Sequence, residues 1–322
     1  MRSEFTNGLE GARILVTGAT GFIGSNLTRR LAVEGSAVAV VVRPNSRTWR
    51  LGNVISRTTV LTADLSDAAG VQQVFRDFRP DVVYHVAAAG VDPQVQDAQA
   101  MLHSNVLGSW NVALAAQKVG VVRIIFTGTA GVYEDSDSPL RETSSLNPRT
   151  MYAASKVTAW FLTEALLRES GISNVNLRLF TTYGPGDWPG RLIPHVILKA
   201  TRNEDIELTS GWQSRDFVYI GDVVEAFIRA GSGNGGSGVI NIGSGHASTV
   251  RDVVGTIMEL TGSKSKAMFG ALPHRKDEIR HVCADVTRVR EVLGWEPETS
   301  LADGLGKTIE WIRANPERAA AG

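Results

Sequence analysis

Seven residues near the start of the chain, Gly18-Ala19-Thr20-Gly21-Phe22-Ile23-Gly24, constrain its fold more than any other stretch. They follow a β-branched run, Arg13-Ile14-Leu15-Val16-Thr17, and lead into a helical pattern from Ile23 to Glu34. Three glycines alone would say little. Between a strand and a helix they fit the turn on which the pyrophosphate of a dinucleotide rests. Gly18 permits the tight turn, Gly21 the close approach of backbone to the anion, and Gly24 the packing of helix on strand. Backbone amides at the helix N-terminus then face the ligand, with Thr20, Phe22 and Ile23 completing the predicted contact.

The rest of the chain continues the alternation. Apolar runs at Ala37 to Val42, Thr59 to Thr62, Val82 to Val86, Val121 to Phe126 and Val175 to Leu179 suit parallel strands buried on both faces. Helical patterns at about residues 68 to 78, 98 to 118 and 151 to 170 separate them. The expected fold class is α/β, a doubly wound Rossmann-type parallel sheet with a smaller, interleaved C-terminal substrate lobe. The turn-rich segment Thr181 to Gly190 marks where the second lobe begins. The expected division is a polar leader at 1–11, a dinucleotide-binding domain at 12–179 plus about 214–240, and a substrate lobe at about 180–213 plus 241–322. Ser232 to Gly238, rich in glycine, reads as a flexible surface loop.

Thirty-three basic and thirty-three acidic residues cancel, so no global field favours nucleic acid or an anionic membrane, and local arginines must hold any anionic ligand. No stretch approaches the ~20 uninterrupted apolar residues of a membrane helix. The one cysteine, Cys283, forms no internal disulfide and reads as a small buried hydrophobe; the expected location is cytoplasmic. The six histidines lack metal-ligand spacing, no GxSxG elbow is present, and no metal is expected. His85, inside an apolar run, reads as a satisfied core histidine. Trp160, Trp295 and Trp311 read as packing residues, as does Trp188 in its loop.

The second strand should end near Val42, where an acidic side chain would bind the adenosine ribose of NAD. Arg43 stands there instead, followed by Ser46 and Arg47, donors that suit the 2′-phosphate of NADP; the prediction is NADP, with NAD as the alternative. Asp64 and Leu65, after the third strand, are placed near the adenine. Tyr152 and Lys156 lie four apart, on one face of a helix. A cation beside a phenol is expected to lower its pKa towards the range useful for acid–base work.

With these motifs the chain resembles the extended short-chain dehydrogenase/reductases, in their nucleotide-sugar epimerase, dehydratase and reductase group. The resemblance spans nearly the whole chain and rests on Gly18 to Gly24, Val86-Ala87-Ala88, Asn105-Val106-Leu107-Gly108, Thr129-Ala130-Gly131-Val132-Tyr133, Tyr152 to Lys156 and Arg215-Asp216-Phe217-Val218. It implies Thr129 as the third catalytic hydroxyl and Lys156 as a holder of the nicotinamide ribose. It adds Ala87, Ala88, Ala89, Asn105, Thr127 and Phe180 to the cofactor site. For the substrate it implies Thr181, Arg191, Leu192, Arg215 and Arg275, with the arginines as a pyrophosphate clamp. It also implies a homodimer through the helices near 98 to 118 and 151 to 170.

Two departures bear on substrate: Thr181 stands where the family usually has asparagine, and Pro273 to Glu278 lacks a common Pro-Gly turn. Ala130-Gly131 stands where dehydratases place Asp-Glu, which disfavours elimination. The expected activity is therefore NADP-dependent reduction of a nucleotide-linked 4-keto-6-deoxy sugar. The alternatives are a nucleotide-sugar epimerase with tightly bound NAD and, in a different class, a non-catalytic NADP-sensing protein.

Overall fold

The computed structural model describes residues 8–90, 97–233, 236–273 and 279–321. Most of the expected leader, residues 1–7, and the predicted clamp residue Arg275 lie outside them.

Among the described residues thirteen strands follow in chain order: β1 (Arg13–Thr17), β2 (Ala37–Val42), β3 (Thr59–Thr62), β4 (Val82–His85), β5 (Arg123–Thr129), β6 (Ser173–Leu179), β7 (Thr181–Tyr183), β8 (Ile206–Leu208), β9 (Ser214–Tyr219), β10 (Gly238–Ile242), β11 (Ala247–Thr249), β12 (Ala267–Phe269) and β13 (His281–Val282). Seven of them form one sheet in the order β10-β6-β5-β4-β1-β2-β3, with every pairing parallel. Such a sheet must be covered on both faces, and the continuous apolar runs are the sequence form of that requirement.

The covering helices alternate with the strands. On one face α1 (Phe22–Leu31) brings Leu27 and Leu31 onto Ile14, Val16 and Val40. On the other, α2 (Ala68–Phe78) brings Val71, Phe75 and Phe78 onto Leu15, Val41 and Val83. Each such large apolar side chain contributes roughly 2 to 3 kcal/mol by leaving water. The short α3 (Ala98–Met101) runs into one π-helical turn at Leu102–Leu107 before α4 (Gly108–Val119), so the helix expected over 98 to 118 is interrupted. Next comes α5 (Met151–Leu167), which starts where the Thr150 hydroxyl accepts a hydrogen bond from the Ala153 amide and shares a core with α4.

The second lobe holds α6 (Leu192–Thr201) and a four-stranded sheet in which β9 is flanked by β11 and β13 and also pairs with β7. This corrects the expected division. β9 was assigned to the dinucleotide domain, yet it pairs only with substrate-lobe strands, and the return begins with α7 (Ile220–Gly231), whose Val223 and Phe227 join the α1 face. The last main-sheet strand, β10, runs to Ile242. The loop after α7 is also less free than its composition suggests, because the Arg123 guanidinium donates to the carbonyls of Ala230, Gly233 and Gly236.

Asp216 in β9 fastens the lobe. Fully buried, its carboxylate accepts from the Ser244 amide and hydroxyl at 2.6 Å each, from the Gly245 amide at 2.9 Å and from the Ala284 amide at 3.1 Å.

Candidate active site

The site lies at the carboxyl ends of β1, β4 and β5, where an open parallel sheet leaves a crevice for ligands. Gly18 adopts φ +70°, and a Cβ there would stand 2.5 Å from the Ala87 amide nitrogen; at Gly24 a Cβ would stand 2.2 Å from the Gly18 carbonyl oxygen. Neither position accepts another residue without moving backbone. Helix α1 begins after Gly21 with no side-chain cap, so the amides of Phe22 and Ile23 have no intrahelical partner and point their partial positive charge into the crevice. Thr20 is half-buried beside them.

At the far end, Arg43 and Arg47 are exposed after β2, and Ser46 accepts a hydrogen bond from the Arg43 amide at 3.1 Å. No acidic residue takes part in that turn. Asp64 lies across from it: hydrogen bonds from the Ser66 hydroxyl and amide hold its carboxyl below the usual range, and the nearby Arg43 guanidinium adds to the effect. Leu65 is buried, and its carbonyl is held by Asn111 at 2.9 Å.

The half-buried loop Ala87 to Ala89 closes against Asn105. Asn105 was expected to touch the cofactor; it is fully buried, accepts from the Ala89 amide at 2.7 Å, and donates to the Ala89 carbonyl at 3.0 Å and the Ser155 hydroxyl at 2.9 Å. Its side chain is fully engaged within the protein, so it acts on the crevice through the loop it holds.

The residues expected to transfer the proton lie around the end of β5 and the first turns of α5. Thr129 Oγ1 accepts from the Gly131 amide at 3.2 Å, and a Cβ on Gly131 would lie 3.5 Å from Thr129 Oγ1 and 3.8 Å from the Ala153 methyl. The first turn of α5 therefore packs directly on the Thr129 turn and carries Tyr152 to it. Phe180 is buried in the apolar cluster of Ala130, Val132 and Ala153 that backs this turn, so it supports the site from behind. Lys156 is buried one helical turn further along α5, and desolvation lowers its pKa to about 8.

Tyr152 behaves differently from expectation. The neighbouring lysine was to lower its phenol; burial instead pushes it up to about 12, and the cation that pulls the other way is Arg191. Desolvation of the phenolate outweighs the attraction. Without ligand the chain thus holds a protonated phenol one helical turn from a lysine whose charged form burial disfavours.

Arg191 is the N-cap of α6 and Leu192 its first residue. Arg215, on β9, donates to the Ser214 carbonyl at 2.8 Å, and Thr181 is half-buried at the start of β7, paired with Phe217.

Several working residues were not foreseen. Asp187 is buried four residues before Arg191, with its Oδ2 3.9 Å from Arg191 Nε, and burial raises its pKa against the pull of Arg191 and Arg50. The same loop is fastened across the lobes, Asn26 of α1 donating to the Pro185 carbonyl at 3.3 Å and Arg50 to the Gly186 carbonyl at 2.9 Å. No local pattern announces such long-range contacts; only Thr150, a hydroxyl residue just before a helical pattern, was readable.

The crevice fits a dinucleotide on three counts: the uncapped α1 terminus, the two glycine positions that leave only backbone at its floor, and Thr127 Oγ1. That hydroxyl is buried two residues before Thr129 with no partner among the described residues, a donor awaiting a polar group. Among the described residues no cluster of acids, histidines or cysteines could hold a metal, and no helix is long and apolar enough to cross a membrane.

The chain is 33% identical to a UDP-glucose 4-epimerase of Mycolicibacterium smegmatis, over 94% of this chain and 98% of that one. It is similar to the crystal structure of the Thermotoga maritima UDP-glucose 4-epimerase with UDP-glucose, at a TM-score of 0.88 and 31% identity over 94% and 99% of the two chains. The Thermus thermophilus UDP-glucose 4-epimerase, solved with NAD, gives a TM-score of 0.84 at 27% identity over the same shares. Residues 14–243 match the NAD dependent epimerase/dehydratase family. With its crevice, its Tyr152–Lys156 pair and these relatives in agreement, the chain is a nicotinamide-dependent enzyme that belongs to that family.

Proposed function

We propose that this enzyme interconverts the C4 epimers of a nucleotide-linked hexose, a UDP-sugar by analogy with its relatives. The observation that carries the reading is Arg191: its charge acts on the Tyr152 phenol, so an arginine suited to a pyrophosphate stands beside the residue suited to a sugar hydroxyl. The Gly18 to Gly24 turn and Lys156 would hold the nicotinamide dinucleotide, which when bound would supply reversible hydride acceptance at the sugar carbon. With substrate and oxidised cofactor bound, the added positive charge beside it would let Tyr152 work as the phenolate, taking the proton from the 4-hydroxyl and giving it back to the 4-keto oxygen. Thr129 hydrogen-bonds that oxygen and keeps it in line with the phenol. Lys156 stabilises the phenolate while it exists. Arg191 and Arg215 grip the pyrophosphate, leaving the hexose free to present either face. Thr181 offers a hydroxyl where many relatives offer an amide.

The test is NMR of a UDP-hexose incubated with purified enzyme and no added reductant. Formation of the 4-epimer without net change in cofactor oxidation state is the expected result; no interconversion of any UDP-hexose overturns it.

A second reading, NADP-dependent reduction of a 4-keto nucleotide sugar, is favoured by two observations: the exposed Arg43 and Arg47 beside Ser46, where an acid would suit NAD, and the protonated resting phenol, the state that donates to a keto oxygen. Stoichiometric NADPH consumption with a 4-keto nucleotide sugar would select it. A homodimer is proposed on either reading, because Leu102, Leu107, Met151, Phe161 and Leu162 expose apolar surface along the π-turn and α5. Light scattering reporting a monomer would refute the dimer.

A further inference from the structure

A chain of fully buried polar groups runs beneath the site, and its hydrogens can be assigned one by one. Ser109 donates its single hydroxyl hydrogen to the Asn105 carbonyl at 2.6 Å, since a carbonyl only accepts. The Ser109 oxygen, 2.9 Å from His85 Nε2, must therefore accept from an Nε2–H. A neutral imidazole carries one hydrogen, so Nδ1 is the acceptor and the Thr17 hydroxyl, 2.8 Å away, donates to it. The Thr17 oxygen in turn lies 3.4 Å from the Ala87 amide. Beyond Ser109 the chain continues through Asn105 to Ser155, whose hydroxyl donates to the Tyr152 carbonyl at 2.8 Å.

Thr17 is the residue immediately before Gly18, and Asn105 and Ser109 flank the junction of the π-turn with α4. His85 is thus the only side chain in this path that reaches from the phosphate-loop strand to the helix gripping the catalytic one. Burial and the Lys156 charge both oppose a second proton and hold its pKa down at about 3. An imidazolium would also present a donor to Thr17 and strand that hydroxyl's hydrogen.

We propose that His85 is a positioning residue: a permanently neutral Nε2–H tautomer that ties the phosphate loop to the π-turn, so that the seating of the dinucleotide and the placement of Tyr152 and Lys156 are set together. It touches neither substrate nor cofactor and moves no proton during turnover. The π-turn lies on the same path, since Asn105 within it offers its carbonyl to Ser109 and its side chain to Ala89 and Ser155. This rests on the assignment of Tyr152 and Lys156 as the proton-transfer pair, but its first test does not.

That test is 15N NMR of histidine-labelled protein, with the His85 signals assigned by their loss in His85→Gln. The proposal expects one neutral Nε2–H tautomer, unchanged between about pH 5 and pH 8. An Nδ1–H tautomer, or titration in that range, overturns it whatever the reaction proves to be.

The second test separates positioning from bulk stability. His85→Leu fills the space but removes both hydrogen bonds, whereas His85→Gln supplies an acceptor and a donor at similar spacing. His85→Leu should weaken dinucleotide binding by fluorescence titration and lower kcat by roughly ten- to a hundredfold with the nucleotide-sugar KM little changed. His85→Gln should recover to within about threefold of wild type. Equal loss in both variants, or unchanged dinucleotide affinity in a folded His85→Leu, refutes it. Should His85→Leu fail to fold, the tautomer spectrum and the His85→Gln titration still decide.

Discussion

The two halves of the site are built in opposite ways. On the proposed cofactor side, the groups come from short contiguous motifs: Gly18 to Gly24 after β1, Ala87 to Ala89 after β4, Thr129 at the end of β5, and Tyr152 and Lys156 one turn apart on α5. On the proposed substrate side, Arg191 caps α6, Thr181 begins β7 and Arg215 lies on β9, elements fastened by Asp216 and by the Asn26 and Arg50 contacts to the loop before Arg191. The first half rests on the seven-stranded sheet; the second rests on a separate apolar core that includes Ile193, Val196, Phe217, Val253 and Leu305, with buried polar contacts fastening its loops. Chemistry should therefore reside in the first half and recognition in the second.

The most severe test of that division is Tyr152→Phe, which removes the proton carrier while keeping the ring. It should lower kcat by about 10³-fold with KM nearly unchanged, measured by steady-state kinetics. A matching rise in KM would mean that the phenol also binds substrate. Arg191→Ala should do the reverse, raising the dissociation constant for UDP by roughly 10- to 100-fold in calorimetry while the melting temperature stays put. An equal fall in kcat at saturation would break the separation, since Arg191 also acts on Tyr152.

Lys156 sharpens the contrast between stability and chemistry. Its folded pKa, near 8, lies below the value of 10.5 it has when solvated, so the folded state sheds the proton first. Stability then rises as pH climbs from about 8 to about 10.5, and below that window the buried ammonium destabilises the fold. Lys156→Met should accordingly melt several degrees higher than wild type at pH 7, a gain of about 3 kcal/mol, with the gap closing at alkaline pH and with activity lost. A lower melting temperature at pH 7 would show that the ammonium has an internal partner. The smallest effect is expected at the rim: Arg43→Ala should weaken NADP relative to NAD by about tenfold in competitive titration, and no change would remove the argument for NADP.

The same division explains what could be read before folding. The phosphate loop and the Tyr152–Lys156 spacing were legible because each is a local pattern whose geometry follows from one strand, one turn or one helix. β9 was misplaced because its apolar Phe217-Val218 pair looks like any main-sheet strand, and only pairing with β7, β11 and β13 distinguishes it. Asn105 entered the expected cofactor site through the family resemblance, and the π-turn that buries it has no periodic signature in the sequence. Tyr152 was expected to be acidified because the sequence displays the nearby cation and hides the desolvation that outweighs it. Asp187 stayed invisible because neither its burial nor its distant partner Arg50 can be read from its four-residue spacing to Arg191.

Asp216 carries a last consequence. Its carboxylate is fully enclosed, and the amide that completes its shell belongs to Ala284, within the last forty residues of the chain. A nascent chain released before that point would enclose a negative charge lacking one of its donors, at a cost of order several kcal/mol. The clamp side can therefore lock only after the C-terminal segment has been made, and shortening the protein to its dinucleotide-binding portion would sacrifice the very strand that presents Arg215.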